Sequence, residues 1–375
     1  MEQNDPRPDV ASPARAPGFA YLSLAVAAAA AAHWLDRVDP GGHRRIKGLR
    51  LVTAYGIAAM LGTMPDITRG LPSAAALSSL AGSFALWASV SEGRDTRAES
   101  SRDLVLLSAA AALGAASFIG FAPLLHHFGH AGPELALATG AFLVGYLRRF
   151  GVTGAGMGSQ LYIGQLLAYG ARLGVSDLPT VAVAALLAAV ASVVPRVLSG
   201  PTEHPPPAPA PLSVPAGVLR PELFMGLQAA IAAVVIVMLN AVIGLTESAW
   251  AITACTYVVA NSASSTIDRV KRRIIGTAIG VPLALACLPL AAAAPLMLWA
   301  AAALAMVIYA MALPERYDIA CGAYAFTLIV TLAVSGEHSV PLLASRAWET
   351  LLGGGLGLAT AAFLVPVGAT VRQRG

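Results

Sequence analysis

Along most of the chain, apolar runs of about bilayer length alternate with short polar connections, and no run shows the strict two-residue alternation of a half-buried strand. This rhythm predicts an all-α polytopic membrane protein. Spans are expected near residues 48–66, 73–91, 104–123, 133–148, 155–172 and 178–198, then near 222–245, 248–262, 274–290, 293–313, 317–335 and 341–366. The pattern therefore contains about 12 transmembrane helices. Between the sixth and seventh runs lies SGPTEHPPPAPAPLSVPAG, Ser199 to Gly217, whose prolines rule out a continuing helix and favour an extended spacer. Five segments follow: 1–47, a cytoplasmic N-terminal segment; 48–198, a first six-helix half; 199–217, a cytoplasmic linker; 218–368, a second six-helix half; and 369–375, a cytoplasmic tail. Within the first segment, Gly18 to Leu35 is expected to lie along the membrane interface, because Trp34 and a group of cations follow it directly.

Composition agrees with this class. Of the 375 residues 57% are apolar and 12% charged, and the mean hydropathy is +0.70, too apolar for a soluble surface. The net charge of +4 reports orientation and not nucleic-acid binding. With alternate connections assigned to the cytoplasm, 21 Lys and Arg fall inside and three outside, namely Arg69, Arg172 and Arg346. Both termini are accordingly expected inside, on the cytoplasmic face. Six spans per half give the halves one orientation, as parallel repeats would have. Two faint echoes support duplication: Arg149-Phe150 against Arg316-Tyr317, and Val193-Val194-Pro195 against Leu364-Val365-Pro366.

Asn261 to Gly280, NSASSTIDRVKRRIIGTAIG, organises the second half. Arg269, Lys271, Arg272 and Arg273 cannot share hydrocarbon, so they mark the cytoplasmic edge of the helix that follows, and they serve either as a topological anchor or as a basic funnel for anions. Gly276 and Gly280 lie one turn apart, as do Gly353 and Gly357 in LLGGGLGLATAAF, and both pairs suit close helix packing. In SRAWET, Arg346 and Glu349 are three residues apart on one face, about 7 and 12 Å into a helix that begins at Pro341. They form either a structural ion pair or an anion-binding guanidinium beside a protonatable partner. Ser159, Gln160, Tyr162 and Gln165 in the fifth span, with Tyr324 and Thr327 in the eleventh, either line a path between the halves or bond adjacent helices. Trp250 is expected to be an interfacial anchor, with substrate stacking the alternative.

His126, His127 and His130 lack a ligand set, so no metal or other cofactor is expected. Cys255, Cys287 and Cys321 stand as isolated small apolar residues. No phosphate-binding GxxxxGK[ST], HExxH or GxSxG occurs, which argues against ATP-driven transport by this chain alone and against an enzyme.

The run WAITACTYVVANSASSTIDRVKRRIIGTAIG, with Arg273, Gly276, Thr277 and Gly280 in an RxxGTxxG helix start, resembles the fusaric acid resistance protein-like family, which includes the aromatic acid exporters. SRAWETLLGGGLGLATAAFLVP is similar to that family's closing pattern at Arg346, Glu349, Thr350, Gly353 and Pro366, and the resemblance runs over roughly 220 to 366. It implies a bacterial inner (plasma) membrane exporter of aromatic carboxylic acids or related small organic anions, working with a periplasmic adaptor. A more distant similarity to plant malate channels implies two six-span bundles enclosing an anion path, and keeps a passive channel open as the alternative. A scaffold whose polar residues only pack helices is the third reading. The Pro-rich linker stands where longer exporters carry a cytoplasmic domain.

Overall fold

The structure is a computed structural model, and it describes residues 33, 36–37, 39–94, 96–199, 221–245, 248–260, 263–313, 315–336 and 339–364. The expected interfacial helix, the Pro-rich linker beyond Ser199 and the tail, with Pro366, lie outside these residues apart from His33. Contacts divide the chain into Met1–Gly42 and His43–Gly375. In the first unit Arg37 donates to the His33 ring at 2.9 Å, and a 3-10 turn closes Pro40–Gly42 around Gly41, whose φ of 80° suits glycine.

Every regular element among the described residues is helical. The second unit holds α1 (His43–Leu61), α2 (Ala74–Ser91), α3 (Arg97–Leu125), α4 (Leu135–Tyr146), α5 (Gly151–Gly170) and α6 (Leu178–Leu198). After the linker come α7 (Pro221–Ile243), α8 (Ser248–Val258), α9 (Ala263–Ala286), α10 (Pro295–Ala312), α11 (Tyr317–Val334) and α12 (Val340–Leu364). Local chemistry explains the starts. Thr96 caps α3, its hydroxyl accepting from the Glu99 N–H, and prolines in the first turn open α6 and α10. A 3-10 turn at Leu147–Phe150 and Gly151, with φ 75°, separate α4 from α5.

Seven helical segments among the described residues are long and apolar enough to cross a membrane: α2, α3, the α4–α5 stretch Gly132–Gly170, α6, α7, α10 and α11, with the short turns that extend α3 and α6. Their outward faces are apolar too. Leu113 is 63% exposed, Leu186 65%, Val242 82% and Leu296 82%, a surface suited to lipid. This is a multi-pass membrane protein.

Two helices depart from the expected spans. The basic cluster does not precede a helix; it lies within α9, because Arg and Lys are good helix formers and carry the helix past its apolar part. At its other end α9 stops at Ala286, ahead of Pro289, which disfavours helical backbone at Leu288. The eleven residues of α8 extend only about 16 Å, roughly half of a hydrocarbon core. Val259 and Ala260, apolar enough to suggest a longer helix, are buried outside it, and the Ala260 N–H finds the Thr266 hydroxyl at 3.1 Å.

The packing has a repeating order. In the first group α1 packs on α2 and α6, α2 on α6, α3 on α5 and α6, and α4 on α5; in the second, α7 packs on α8 and α12, α8 on α12, α9 on α11 and α12, and α10 on α11. Each of these pairs has its counterpart in the other group, while α2 also packs on α5 without comparable packing of α8 on α11. The groups meet where α4 packs on α7 and α10 on α1. Glycine sits at both seams. A Cβ on Gly226 would lie 2.7 Å from the Phe142 carbonyl oxygen, and one on Gly48 would lie 2.9 Å from the Val307 Cα. These are backbone-to-backbone approaches that larger residues forbid.

Candidate functional site

A cavity of about 1140 Å³ lies between the two groups, lined by α2 and α5 of the first and by α8, α9, α10 and α11 of the second, with further residues from α1 and α12. Of these, α2 and α8, and α5 and α11, are counterparts in the repeated pairing. Among the described residues, ten of the twelve Tyr and Trp line it and no Phe does, so its aromatic lining consists of rings that carry a polar handle. Trp87 meets Tyr309 edge-on at 6.0 Å and Tyr324 at 5.5 Å, while Tyr324 also lies 6.3 Å from Tyr309 and 6.5 Å from Trp250. On the opposite wall the Tyr162 and Tyr257 rings are 5.9 Å apart. Tyr257 shares a 2.7 Å hydrogen bond with Ser159, and Tyr162 a 2.8 Å bond with Thr253.

Cations dominate the charge. Arg148, Arg269, Arg272, Arg273 and Arg346 line the cavity against two carboxylates, Asp268 and Glu315. Both carboxylates already have arginine neighbours. Arg272 pairs with Asp268 at 2.8 Å and donates to the Glu315 backbone carbonyl at 2.7 Å, while the Glu315 carboxylate meets Arg44 at 2.6 Å. Outside the spans, the Arg44 hydrogen bond and charge hold the Glu315 carboxyl below its ordinary value. A positive, aromatic-walled space remains.

The sequence candidates sort by this geometry. Arg346, Ser159, Tyr162, Tyr324, Thr327, Arg269, Arg272 and Arg273 all line the cavity. Lys271 is exposed on another face of α9. Gln160 and Gln165 turn into the first group, Gln160 donating to Ser91 at 3.2 Å and Gln165 to Ser117 and Thr139 at 3.1 and 3.0 Å. Glu349 is fully buried on α12, one turn past Arg346 and away from the cavity lining. The packing glycines sit against backbone: Gly276 and Gly280 against Asp318 and Gly322 on α11, and Gly353 and Gly357 against Ala251 and Cys255 on α8.

Trp250 corrects its expectation as a lipid-interface anchor. It lines the cavity, and the Arg346 guanidinium lies over its ring, 4.3 Å from the centroid. Sequence reasoning did not place Trp87, Tyr257 or Tyr309 in a path, and Tyr317 entered only as part of a repeat echo. The available signal was the polar-handled ring itself, standing among alanines in spans where Leu or Phe would pack equally well.

His126, His127 and His130 are exposed at the far end of α3. Glu134, nearby in sequence, is buried and accepts from Asn240 at 2.9 and 3.0 Å and from the Tyr169 hydroxyl at 2.8 Å. Asn240 is on α7, so this carboxylate ties the two groups together at the α4–α7 seam.

Fold and cavity together define a multi-pass helical membrane protein that encloses a cationic, aromatic chamber. Within it, residues 227–360 match the family model described as fusaric acid resistance protein-like, so α7 to α12 carry a domain of that family. Comparison with curated proteins and with solved structures gave no match. The matched stretch contains Trp250, Arg273, Tyr324 and Arg346.

Proposed function

We propose that the protein transports small organic anions, aromatic carboxylates foremost, out of the cytoplasm through the chamber between its two helix groups. The observation that carries this reading is the chamber's lining: five arginines among ten Tyr and Trp side chains, at the contact of two groups whose helix pairing repeats. Guanidinium forks match carboxylate geometry, and indole and phenol faces accept an aromatic body without demanding one substituent pattern. The family match supports a transport or efflux role. In this reading the chain forms two parallel six-helix repeats spanning a bacterial inner membrane with both termini cytoplasmic. Arg269, Arg272 and Arg273 draw anions in, and Arg346 with Glu349 acts toward the outer end; a periplasmic adaptor remains part of the proposal.

The test is flux through vesicles reconstituted with the full chain, using aromatic and aliphatic acids with and without a pH gradient. Arg346→Ala should slow aromatic acid flux about tenfold or more, the loss of a charge-assisted hydrogen bond of roughly 1.5–3 kcal/mol, at unchanged protein content. Glu349→Gln should abolish any dependence on the pH gradient. Undiminished flux in both variants would remove this pair from the mechanism, and conduction that never needed a gradient would make the protein a passive channel.

A further inference from the structure

Two connections that occupy equivalent places in the repeated pairing border the chamber. Arg148 lies in the turn between α4 and α5 and Glu315 between α10 and α11, and each directly precedes its half of the echo Arg149-Phe150 and Arg316-Tyr317. One connection thus presents a base where the other presents an acid. Glu315 joins the two groups: its carboxylate accepts from Arg44 of α1 at 2.6 Å, and its backbone carbonyl accepts from Arg272 of α9 at 2.7 Å. Arg148 has a cation for its neighbour instead. It lines the chamber with Arg269 of α9, close enough for the Arg269 charge to act on it across the boundary between the groups.

Neither Arg148 nor Arg269 makes a side-chain hydrogen bond or an ion pair among the described residues. The two carboxylates of the chamber are held elsewhere, Asp268 by Arg272 and Glu315 by Arg44. Two guanidiniums from opposite groups therefore repel each other with no acid between them. Further polar groups gather at the same corner. Tyr257 and Tyr317 are also neighbours of the Arg148 guanidinium, and the Tyr317 hydroxyl accepts from Arg273 at 3.4 Å. Arg273 keeps a buried Nε with no partner among the described residues. All five side chains line the 1140 Å³ chamber itself, so the corner has room for a ligand.

We propose that Arg148 and Arg269 form a carboxylate site at this basic corner, and that its occupant joins the two helix groups there as Glu315 joins α1 to α9. The step rests on the transport reading above for its cargo. A carboxylate has two oxygens, one for each fork, so a single ligand turns one repulsion into two charge-assisted contacts. A ligand held from both walls favours the arrangement in which both can reach it. Loading is thereby coupled to the approach of one group to the other, which a basic patch on one wall alone does not achieve. Arg148 lies outside the stretch 227–360 that matches the family model, so the first half of the chain supplies one side of the site.

The experiment measures benzoate binding and thermal melting of the purified full chain in phosphatidylcholine nanodiscs, and flux in vesicles of the same lipid. Wild type should bind benzoate and melt higher with it. Arg148→Gln and, independently, Arg269→Gln should each lose about tenfold in affinity, the loss of one charge-assisted contact. Arg148→Glu sets a carboxylate against Arg269 without any ligand. That variant should melt higher than Arg148→Gln, bind benzoate about tenfold or more weaker than wild type, and gain no melting temperature from it. Benzoate affinity indifferent to both glutamine variants overturns the site even where flux is robust, as does absence of benzoate binding to the wild type. An Arg148→Glu protein that melts no higher than Arg148→Gln overturns the bridge between the groups. Binding that needs Arg148 without any flux keeps the site and removes the transport reading. Nanodiscs doped with phosphatidylglycerol separate cargo from lipid: benzoate affinity should stay the same, and displacement of benzoate would assign the corner to a lipid phosphate and overturn it as a cargo site.

Discussion

The Arg346–Trp250 contact shows how far a single position can be read from sequence. An arginine and a glutamate three apart inside an apolar helix announce a buried polar pair, and both are buried. That the guanidinium would lie over an indole 96 positions away was not legible, because helical periodicity fixes a face but not the neighbour facing it. The glycines divide in the same way. Gly280 and Gly355 both lie inside apolar helices near other glycines, yet a Cβ on Gly280 would overlap the Gly322 carbonyl oxygen while one on Gly355 would meet nothing within 4 Å. Gly280→Ala should therefore cost about 1–3 kcal/mol through forced separation of α9 and α11. Gly355→Ala should add roughly 0.5–1 kcal/mol by removing a flexible residue from a helix interior. Thermal melts of the two variants in detergent check both signs, and a shared sign would refute the packing argument.

At the level of helices, most positions follow from the apolar runs, since a bilayer-length run bounded by prolines, glycines or charges has few alternatives to a helix. The exceptions have physical causes. Val259 and Ala260 are as apolar as a helix end but lie outside α8, and a basic run that suggested a connection is itself helical. The α4–α7 seam was invisible because Glu134 and Asn240 are 106 positions apart. Asn240 supplies both amide hydrogen bonds from α7 to the buried Glu134 carboxylate, and its carbonyl takes the Leu245 N–H at 2.8 Å. Replacing Asn240 with Ala should cost about 1–3 kcal/mol or more, since a buried carboxylate is left with fewer donors. Adding Glu134→Gln to that variant should recover part of the loss by removing the charge. A melt showing additive damage in the double variant would instead mean that the two residues act separately.

For the whole molecule, the class was plain from composition and hydropathy, and the domain carried by α7 to α12 from the RxxGTxxG start and the later Arg, Glu-Thr and Gly pattern. The chamber was not, because its lining is gathered from both groups, with Trp87 and Tyr162 of the first facing a common space with Tyr309 and Tyr324 of the second. The proposed orientation has a direct check. With Cys255, Cys287 and Cys321 replaced, one cysteine introduced between 199 and 217 should resist a membrane-impermeant maleimide in intact cells and react after lysis; reaction in intact cells would invert the arrangement. The seams add something that composition cannot. Because glycine brings main chain close to main chain where α10 meets α1 and α4 meets α7, neither joint has room for a larger residue. The width of the chamber at these joints is thus set by peptide units, and in the proposed transport selectivity is left to the rings and forks that project inside it.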